Sequence, residues 1–198
     1  MSTPDPLPRK SGMHTLDIFV GACALLISAV SLFMAYRSNQ LQDRMLEASI
    51  WPYLYWDSSN VDEQRNVDEV VLGFRNVGVG PARIESLQLS YKGQLLADFR
   101  ELVAACCKAE SAPLKTWHSR TSDINPAVIP AHDEIRFFGF DKNEQNVALW
   151  DKLNQERSNL VARVCYCSVL DDCWLLDSSR SIPDKVRQCP VPPGTQYH

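Results

Sequence analysis

The sequence predicts a mainly β fold, in which an N-terminal transmembrane helix precedes a β-sandwich that carries one or two short inserted helices. Two observations predict this arrangement. An uncharged apolar run begins at Ile18 and ends at Tyr36, and apolar residues after Pro52 recur at alternate positions in several short segments. A period of two is typical of strands that bury one face, and several such strands in one chain favour a sandwich.

The chain of 198 residues divides into five predicted parts. Residues 1–13 form a disordered tail, 14–36 the transmembrane helix, 37–50 a juxtamembrane helix, 51–177 the sandwich and 178–198 an irregular proline-rich tail. A sandwich of this length can bury a hydrophobic core. The formal net charge is −4, with acidic and basic residues interleaved. No basic stretch is present, so nucleic acid is excluded as an expected partner.

The run from Ile18 to Tyr36 is expected to cross a lipid bilayer. Its nineteen residues would rise by about 28 Å as a helix, close to the hydrocarbon thickness. A buried helix of a soluble protein is the alternative, but such a helix is rarely apolar on all faces. Residues 20–23 (VGAC) also look like a lipoprotein cleavage box, with Cys23 as the lipidated residue. Cleavage there would leave many apolar residues on the mature protein, so we expect the helix to be retained.

Basic residues do not decide the orientation of the anchor, because Arg9 and Lys10 precede the span while Arg37 and Arg44 follow it. Cysteine usage does favour one orientation. Of the seven cysteines, the six other than Cys23 all lie after residue 100. An even number of cysteines in the folded part suits disulfides in an oxidising compartment. We therefore expect a single-pass protein of the inner membrane, with its C-terminal domain in the periplasm.

The juxtamembrane helix carries a short apolar stripe. Leu41, Met45 and Ala48 share one of its faces, which favours either a homodimer or contact with the bilayer or the domain. The helical pattern ends at Trp51, since the residue before a proline avoids the α region. Four aromatic residues follow the membrane segment closely, and they either bind at headgroup level or begin the core. They are Trp51, Tyr53, Tyr55 and Trp56.

Alternating apolar residues place the strands, and spacing of three or four places the two inserted helices. The predicted strands cover residues 53–56, 68–76, 87–92, 135–140, 160–169 and 173–176, and the predicted helices cover 98–108 and 144–157. The last two strands form a hairpin about residues 170–172. Asp171 and Asp172 are therefore expected to be turn formers, although a carboxylate pair for acid–base chemistry is the alternative.

A glycine-containing turn joins two of these strands. Residues 76–82 read NVGVGPA, and we expect Asn76, Gly78, Gly80 and Pro81 to form a structural turn whose glycines permit positive φ. The alternative is a phosphate-binding loop. That alternative needs a helix N-terminus directly after the glycines, whereas the following residues alternate as in a strand.

This turn resembles the N-x-G-x-G-P-A turn of immunoglobulin-like modules in bacterial surface proteins. Residues 130–134 (PAHDE), followed by Ile135, match the Pro-x-x-acidic segment that opens a later strand in those modules. The whole layout is similar to uncharacterised bacterial single-pass membrane proteins that have an immunoglobulin-like sandwich after the span. The resemblance implies an immunoglobulin-like fold and its topology, and it implies no activity.

The six later cysteines are the disulfide candidates: Cys106, Cys107, Cys165, Cys167, Cys173 and Cys189. Cys165 and Cys167 are two apart on a predicted strand, so they share a face about 6.6 Å apart and are poorly placed to bond each other. Cys173 lies across the short turn from Cys167, which makes that pair the first choice. Cys165 then reaches either the Cys106–Cys107 segment or Cys189.

No catalytic grouping is expected. Zinc requires four ligands, and the Cys-x-Cys strand with Cys173 supplies at most three. His118 and His132 lie in predicted loops without paired spacing, so neither a zinc site nor a cysteine hydrolase is indicated. Thiol exchange uses Cys-x-x-Cys, which is absent. We expect a non-catalytic interaction module of the cell envelope without a cofactor; the alternative is a cysteine-based redox or zinc-binding domain on the membrane.

Overall fold

The computed structural model describes residues 12–62, 65–107, 119–122, 124, 126–180 and 182–191. The chain divides into two compact units, Met1–Leu46 and Glu47–His198. Most of the N-terminal tail and His118, both considered above, lie outside the described residues. The two units are described separately below.

Helix α1 (Gly12–Ser49) is long, apolar and solvent-exposed. Its large apolar side chains between Ile18 and Tyr36 are each more than half exposed. The Ser28 hydroxyl donates a hydrogen bond to the Ala24 carbonyl oxygen at 2.8 Å, which satisfies this polar group within the helix. Among the described residues, Thr15–Ser49 is the helix long and apolar enough to cross a membrane. The prediction of a long apolar N-terminal helix is confirmed.

The second unit contains ten strands and two helices in the part of the chain that the structure describes. In chain order they are β1 (Leu54–Asp62), β2 (Val67–Asn76), β3 (Ala82–Tyr91), β4 (Gln94–Leu96), α2 (Phe99–Cys107), β5 (Ser119–Thr121), β6 (Ala127–Ile129), β7 (Glu134–Asp141), α3 (Val147–Glu156), β8 (Leu160–Cys167), β9 (Cys173–Asp177) and β10 (Asp184–Val186). A single 3₁₀ turn, Arg157–Asn159, joins α3 to β8.

These strands form two antiparallel sheets. The four-stranded sheet has the order β1-β2-β7-β5. The six-stranded sheet has the order β10-β9-β8-β3-β4, and β6 also pairs with β3. The register between β2 and β7 shifts at Leu72/Gly73, and that between β3 and β8 shifts at Ile84/Ser86. The predicted mainly β, sandwich-like architecture is confirmed.

One hydrophobic core lies between the two sheets. The four-stranded sheet contributes Leu54, Leu72, Phe74 and Phe138, among others, and the six-stranded sheet contributes Ile84, Leu89, Val164 and Tyr166. The Tyr166 hydroxyl accepts a 3.4 Å hydrogen bond from the Leu54 N–H, so it links strands of different sheets. Burial raises the pKa of this phenol above its ordinary value.

The two short helices close one end of the core. They pack against each other, and α2 also contacts β3 and β4 while α3 contacts β2. The Phe99 ring of α2 stacks on Phe138 with 4.0 Å between centroids, and the Trp150 indole N–H donates to the Phe140 carbonyl oxygen at 3.1 Å. We call this the helix-capped end. The opposite end, where β3 begins, is formed by residues 50–53, 77–81, 126–130 and 168–172, and we call it the loop end.

The structure corrects several sequence expectations. The first strand reaches Asp62 instead of stopping at Trp56, because its polar second half pairs with β2. The strand expected to reach Val169 ends at Cys167, and residue 169 lies in the turn. Strands β4, β5, β6 and β10 were not predicted, since each has three residues. Strand β10 lies within the tail that was expected to be irregular.

Candidate functional site

The side chain of Asn76 holds the loop end together. It is fully buried at the last position of β2. Its Oδ1 accepts hydrogen bonds from the Gly78 N–H at 3.0 Å and the Tyr53 N–H at 3.2 Å. Its Nδ2 donates to three carbonyl oxygens: Gly80 at 2.8 Å, Ile129 at 3.1 Å and Pro130 at 3.1 Å. One amide therefore connects the turn, the segment that enters the sandwich, and the end of β6.

The glycines of the turn permit two backbone segments to touch. A Cβ atom at Gly78 would overlap the Tyr53 nitrogen and the Trp51 carbonyl oxygen, and one at Gly80 would overlap the Ile50 carbonyl oxygen. The Gly80 N–H also donates to the Trp51 oxygen at 3.2 Å. These glycines are needed because the backbones approach too closely for any side chain.

Neither Gly78 nor Gly80 uses the positive φ that glycine permits. Among the glycines that the structure describes, Gly93 alone has positive φ, at +86°. Pro81 ends the turn directly before β3. The residues expected to form the turn do lie together between β2 and β3, but close packing selects glycine there, and backbone conformation does not.

The loop end exposes a group of aliphatic side chains. Those of Val77, Val79, Val128, Val169 and Leu170 are each between 51% and 61% exposed, and Trp51 is 46% exposed. Val77 and Val79 lie in the turn directly before β3. At the start of β3, Arg83 pairs with Val128 on one neighbouring strand and with Cys167 on the other, and Val169 and Leu170 follow Cys167 in the turn. At the helix-capped end, the helices bury Phe99, Leu102, Val103, Trp150 and Leu153, while Val147 of α3 is 40% exposed. Exposed apolar side chains gathered at one end are typical of a binding surface.

The aromatic residues that follow the apolar run have different environments. Trp56 packs against the core beside Phe74, with ring centroids 5.3 Å apart, whereas Tyr55 is 60% exposed. Trp51 and Tyr53 meet edge to face at 5.5 Å. Thus one of the four, Trp56, begins the core, whereas Trp51 is an exposed aromatic residue of the loop end.

The described cysteines after residue 100 form three bridges. Cys167 is bonded to Cys173 across the β8–β9 turn, with their Cα atoms 4.0 Å apart. Cys165 is bonded to Cys189, with their Cα atoms 5.7 Å apart. Cys106 is bonded to its neighbour Cys107 at the end of α2, a pairing that the sequence analysis did not consider. In α1, Cys23 is unbonded.

Two of these bridges touch each other on the outer face of the six-stranded sheet. The Cys167 and Cys189 Sγ atoms, which belong to different bridges, lie 3.7 Å apart. The sulfur atoms of Cys167, Cys173 and Cys189 all lie within 4.8 Å of one another. Cys165, Cys167 and Cys173 are buried. Cys189, from the C-terminal segment, joins Cys167 and Cys173 in this group of three sulfurs, which does not include Cys165.

A network of ion pairs covers the outer face of the four-stranded sheet. The carboxylate of Glu69, 1% exposed, pairs with Arg65 and Arg120. Asp141 accepts hydrogen bonds from Arg65 at 2.8 Å and from Arg120 at 3.3 Å. The hydrogen bond from Arg65, together with the positive charge of Arg120, lowers the pKa of Asp141 below its ordinary value. Asp62 completes the network by pairing with Arg65 at 2.7 Å.

A shallow groove of about 570 Å³ lies beside this network on the same face. Its lining carries both signs of charge: Asp57, Arg75, His132, Asp133, Glu134 and Arg136. Two of these acidic groups are paired with Arg75: Glu134 at 2.9 Å and Asp57 at 3.5 Å. We interpret the neighbouring Arg65 network as structural, because each of its carboxylates, those of Asp62, Glu69 and Asp141, has an arginine partner among the described residues.

The aspartates of the β8–β9 turn also have structural partners. Asp171 has positive φ, at 62°, and pairs with Arg83 at 2.7 Å. Asp172 pairs with Lys185 at 2.7 Å. Both residues therefore occupy the turn for which they were expected. The Glu69 network was not predicted, because Arg120 and Asp141 join it from strands that are distant in the sequence.

Comparison with known proteins identifies no relative. No family model, curated protein or solved structure matches the chain.

Proposed function

We propose that the chain is a single-pass membrane protein of the bacterial cell envelope whose β-sandwich is a non-catalytic binding module. The proposal takes the sandwich to be immunoglobulin-like, as the resemblance of residues 76–82 implies. It places Ile18–Tyr36 in the inner membrane and the sandwich in the periplasm. The apolar, exposed helix α1 supports the anchor, and the bonded cysteines of the sandwich support an oxidising compartment.

The exposed aliphatic group at the loop end is the observation that carries this proposal. Folding of the sandwich gives no reason to expose five branched side chains together at the loop end. Water is a poor environment for such side chains, so covering them on binding is favourable. The Asn76 hydrogen bonds and the close backbone contacts of Gly78 and Gly80 fix the turns that present them. A rigid surface loses little entropy when a partner binds.

We propose a protein partner for this surface. Segments that bind lipid headgroups combine aromatic residues with several lysines and arginines. The loop end presents Trp51 together with valine and leucine, but its residues include no lysine or arginine, and the neighbouring Arg83 is already paired with Glu85 and Asp171. Aliphatic side chains beside a paired, neutralised arginine suit the apolar centre of a protein interface. A homodimer through the Leu41, Met45 and Ala48 stripe remains a separate prediction for α1.

Site-specific photocrosslinking in intact membranes tests the proposal. A photoreactive amino acid would replace Val79 or Val128 at the loop end, or Val67 as the matched control. Val67 is 38% exposed and begins β2, at the opposite end of the strand from Asn76. We expect one recurring protein adduct from both loop-end positions and none from the control position.

The adduct should also weaken when the surface is made polar. Val79→Ser in the Val128-labelled protein should lower the adduct yield severalfold, while Val67→Ser should leave the yield unchanged. An identical mixture of adducts from all three positions would contradict the proposal, as would adducts to lipid alone. An adduct with twice the mass of the chain would show that the partner is a second copy of this protein.

A further inference from the structure

The bridge at the end of α2 differs from the other two because it closes no loop of the chain. In the chain-entropy model, a disulfide stabilises the folded state more when more residues lie between its cysteines. The other two bridges join cysteines that are 24 and 6 positions apart, whereas Cys106 and Cys107 are adjacent. Filling the core at α2 requires no bond between these two side chains. A stabilising role therefore does not explain this bridge.

The same difference makes this bridge the easiest of the three to open. Folding and disulfide formation are linked equilibria, so a bridge that stabilises the fold is itself stabilised by the fold to the same extent. The two bridges of the six-stranded sheet receive this support, because the paired strands hold their cysteines together. The bridge between Cys106 and Cys107 receives little of it, since these residues are neighbours in the unfolded chain as well.

A reductant can reach this bridge through an open cavity. Cys107 is half-buried, and together with Cys106 it lines a cavity of about 860 Å³ between α2, α3 and the end of β3. Both cysteines of the Cys167–Cys173 bridge are buried. Thiol–disulfide exchange requires direct approach of a thiolate to one of the bonded sulfurs. The Cys107 sulfur is the one that the cavity makes accessible.

The charges around the cavity favour thiolates. Lys92 and Lys152 share a single carboxylate, that of Glu156, at 3.0 and 2.9 Å. Among the lining residues that the structure describes, this leaves one positive charge in excess. A nearby lysine lowers the pKa of a cysteine thiol, which makes its thiolate a better leaving group. The C-terminal end of α2 disfavours a negative charge, so the two lysines are the groups that favour exchange here.

We propose that the Cys106–Cys107 bridge is a redox site that accepts two electrons from an external dithiol while the other two bridges stay closed. One thiolate of the dithiol attacks the Cys107 sulfur, the bond to Cys106 breaks, and the Cys106 thiolate takes a proton from solvent. The second thiolate of the dithiol then attacks the reductant's own sulfur in this mixed disulfide. Cys107 leaves as a thiolate and is protonated in turn.

This exchange is balanced and reversible. The dithiol becomes a disulfide, and the two protons that it releases to solvent balance the two that the cysteines take up. The reverse reaction returns both electrons to an external disulfide, so the chain can cycle between the two states without unfolding. Adjacent cysteines here replace the Cys-x-x-Cys spacing that thiol exchange commonly uses. The inference is independent of the proposed binding partner.

Differential alkylation of the folded, full-length chain in detergent micelles tests the site. Samples taken during reduction by dithiothreitol at neutral pH would be blocked with N-ethylmaleimide and digested with trypsin. Tryptic residues 101–108 carry Cys106 and Cys107, whereas the other four cysteines fall within residues 164–180 and 188–198. We expect the first of these peptides to gain maleimide roughly tenfold faster than the other two.

A protein reductant that can perform only the first step identifies the attacked sulfur. A thioredoxin whose second active-site cysteine is replaced by serine stays bonded to its target as a mixed disulfide. We expect this adduct on Cys107, and an adduct on the sheet cysteines instead would contradict the proposal. Trapping shows that a protein dithiol can reach the site, whereas reduction by dithiothreitol without trapping assigns the site to small dithiols.

Lysine variants test the role of charge. Lys92→Ala and Lys152→Ala should each slow reduction of the bridge severalfold, because less positive charge remains to stabilise the thiolates. Lys142→Ala is the matched control, since Lys142 pairs with Asp151 outside the cavity lining, and it should leave the rate unchanged. Equal rates in the original chain and in all three variants would contradict the electrostatic part of the inference.

Urea denaturation distinguishes a redox bridge from a structural one. Replacing Cys106 and Cys107 together by alanine should leave the urea midpoint nearly unchanged, whereas the same replacement of Cys165 and Cys189 should lower it. Two results would overturn the inference. They are reduction of the bridge of α2 no faster than that of either other bridge, and loss of the folded state when Cys106 and Cys107 are both alanine.

Discussion

Replacing Asn76 by alanine tests whether one buried amide holds the loop end together. The change removes the acceptor of the Gly78 and Tyr53 N–H groups and the donor to the Gly80, Ile129 and Pro130 carbonyl oxygens. Three of these five bonds, those to Gly78, Gly80 and Ile129, are buried. An unsatisfied buried group costs about 1–3 kcal/mol, so three of them predict a loss of about 3–9 kcal/mol in the free energy of unfolding. Water can satisfy the other two groups.

Urea denaturation of the full-length chain in micelles, followed by tryptophan fluorescence, measures this loss. Asn159→Ala is the matched control, since Asn159 is exposed and its amide bonds only Glu156. It should change the free energy of unfolding by less than about 0.5 kcal/mol. Asn76→Asp should be at least as destabilising as Asn76→Ala, because its charge would face three carbonyl oxygens. A loss below about 1 kcal/mol for Asn76→Ala would refute the reasoning.

Three further predictions follow from the same contacts. Gly80→Ala should prevent stable folding or cost several kcal/mol, because its Cβ would overlap the Ile50 carbonyl oxygen, whereas Gly93→Ala, in open space at φ +86°, should cost only about 1–2 kcal/mol in urea denaturation. Gly139→Ala should displace the Glu69 carboxylate, which lies over that glycine, and so lower the urea midpoint more than Glu85→Ala on a partly exposed pair. The stabilising contribution of the Asp141 carboxylate should be complete above about pH 5 and be lost as the pH falls below about 4, because its folded-state pKa is depressed. Asp141→Asn should therefore reduce the loss of stability in acid.

Much of the architecture could be predicted because it depends on local pattern. The apolar run of α1 contains no charge from Ile18 to Tyr36, and β3 alternates clearly around Leu87 and Leu89. The 3.6-residue spacing of Phe99, Leu102 and Val103 identified α2 in the same way. Each of these signals lies within one element, so it survives without knowledge of the neighbours.

The remaining features depend on residues that meet only after folding. The polar half of β1 becomes a strand because β2 lies beside it, and β10 exists because β9 provides its partner. Cys189 reaches its partner Cys165 from a segment that has no periodic pattern. Glu69 of β2 pairs with Arg120 of β5, although β7 lies between these two strands in the sheet. The close contact of Gly80 with Ile50 has no sequence signal beyond the glycine itself. Glycine also permits positive φ, so the residue type alone does not tell which of the two properties the turn uses.

Fractionation of cells that express the full-length chain tests the membrane anchor, on which the proposed function depends. Membranes would be washed with alkaline carbonate, which removes peripheral proteins, and then sedimented by ultracentrifugation. We predict that an uncleaved chain of 22.4 kDa, measured by mass spectrometry, stays in the pellet and dissolves only with detergent. Recovery of the intact chain in the supernatant would contradict the membrane anchor. A shortened chain in the pellet that begins at Cys23 would show that a lipid on this cysteine, and not a transmembrane helix, anchors the protein.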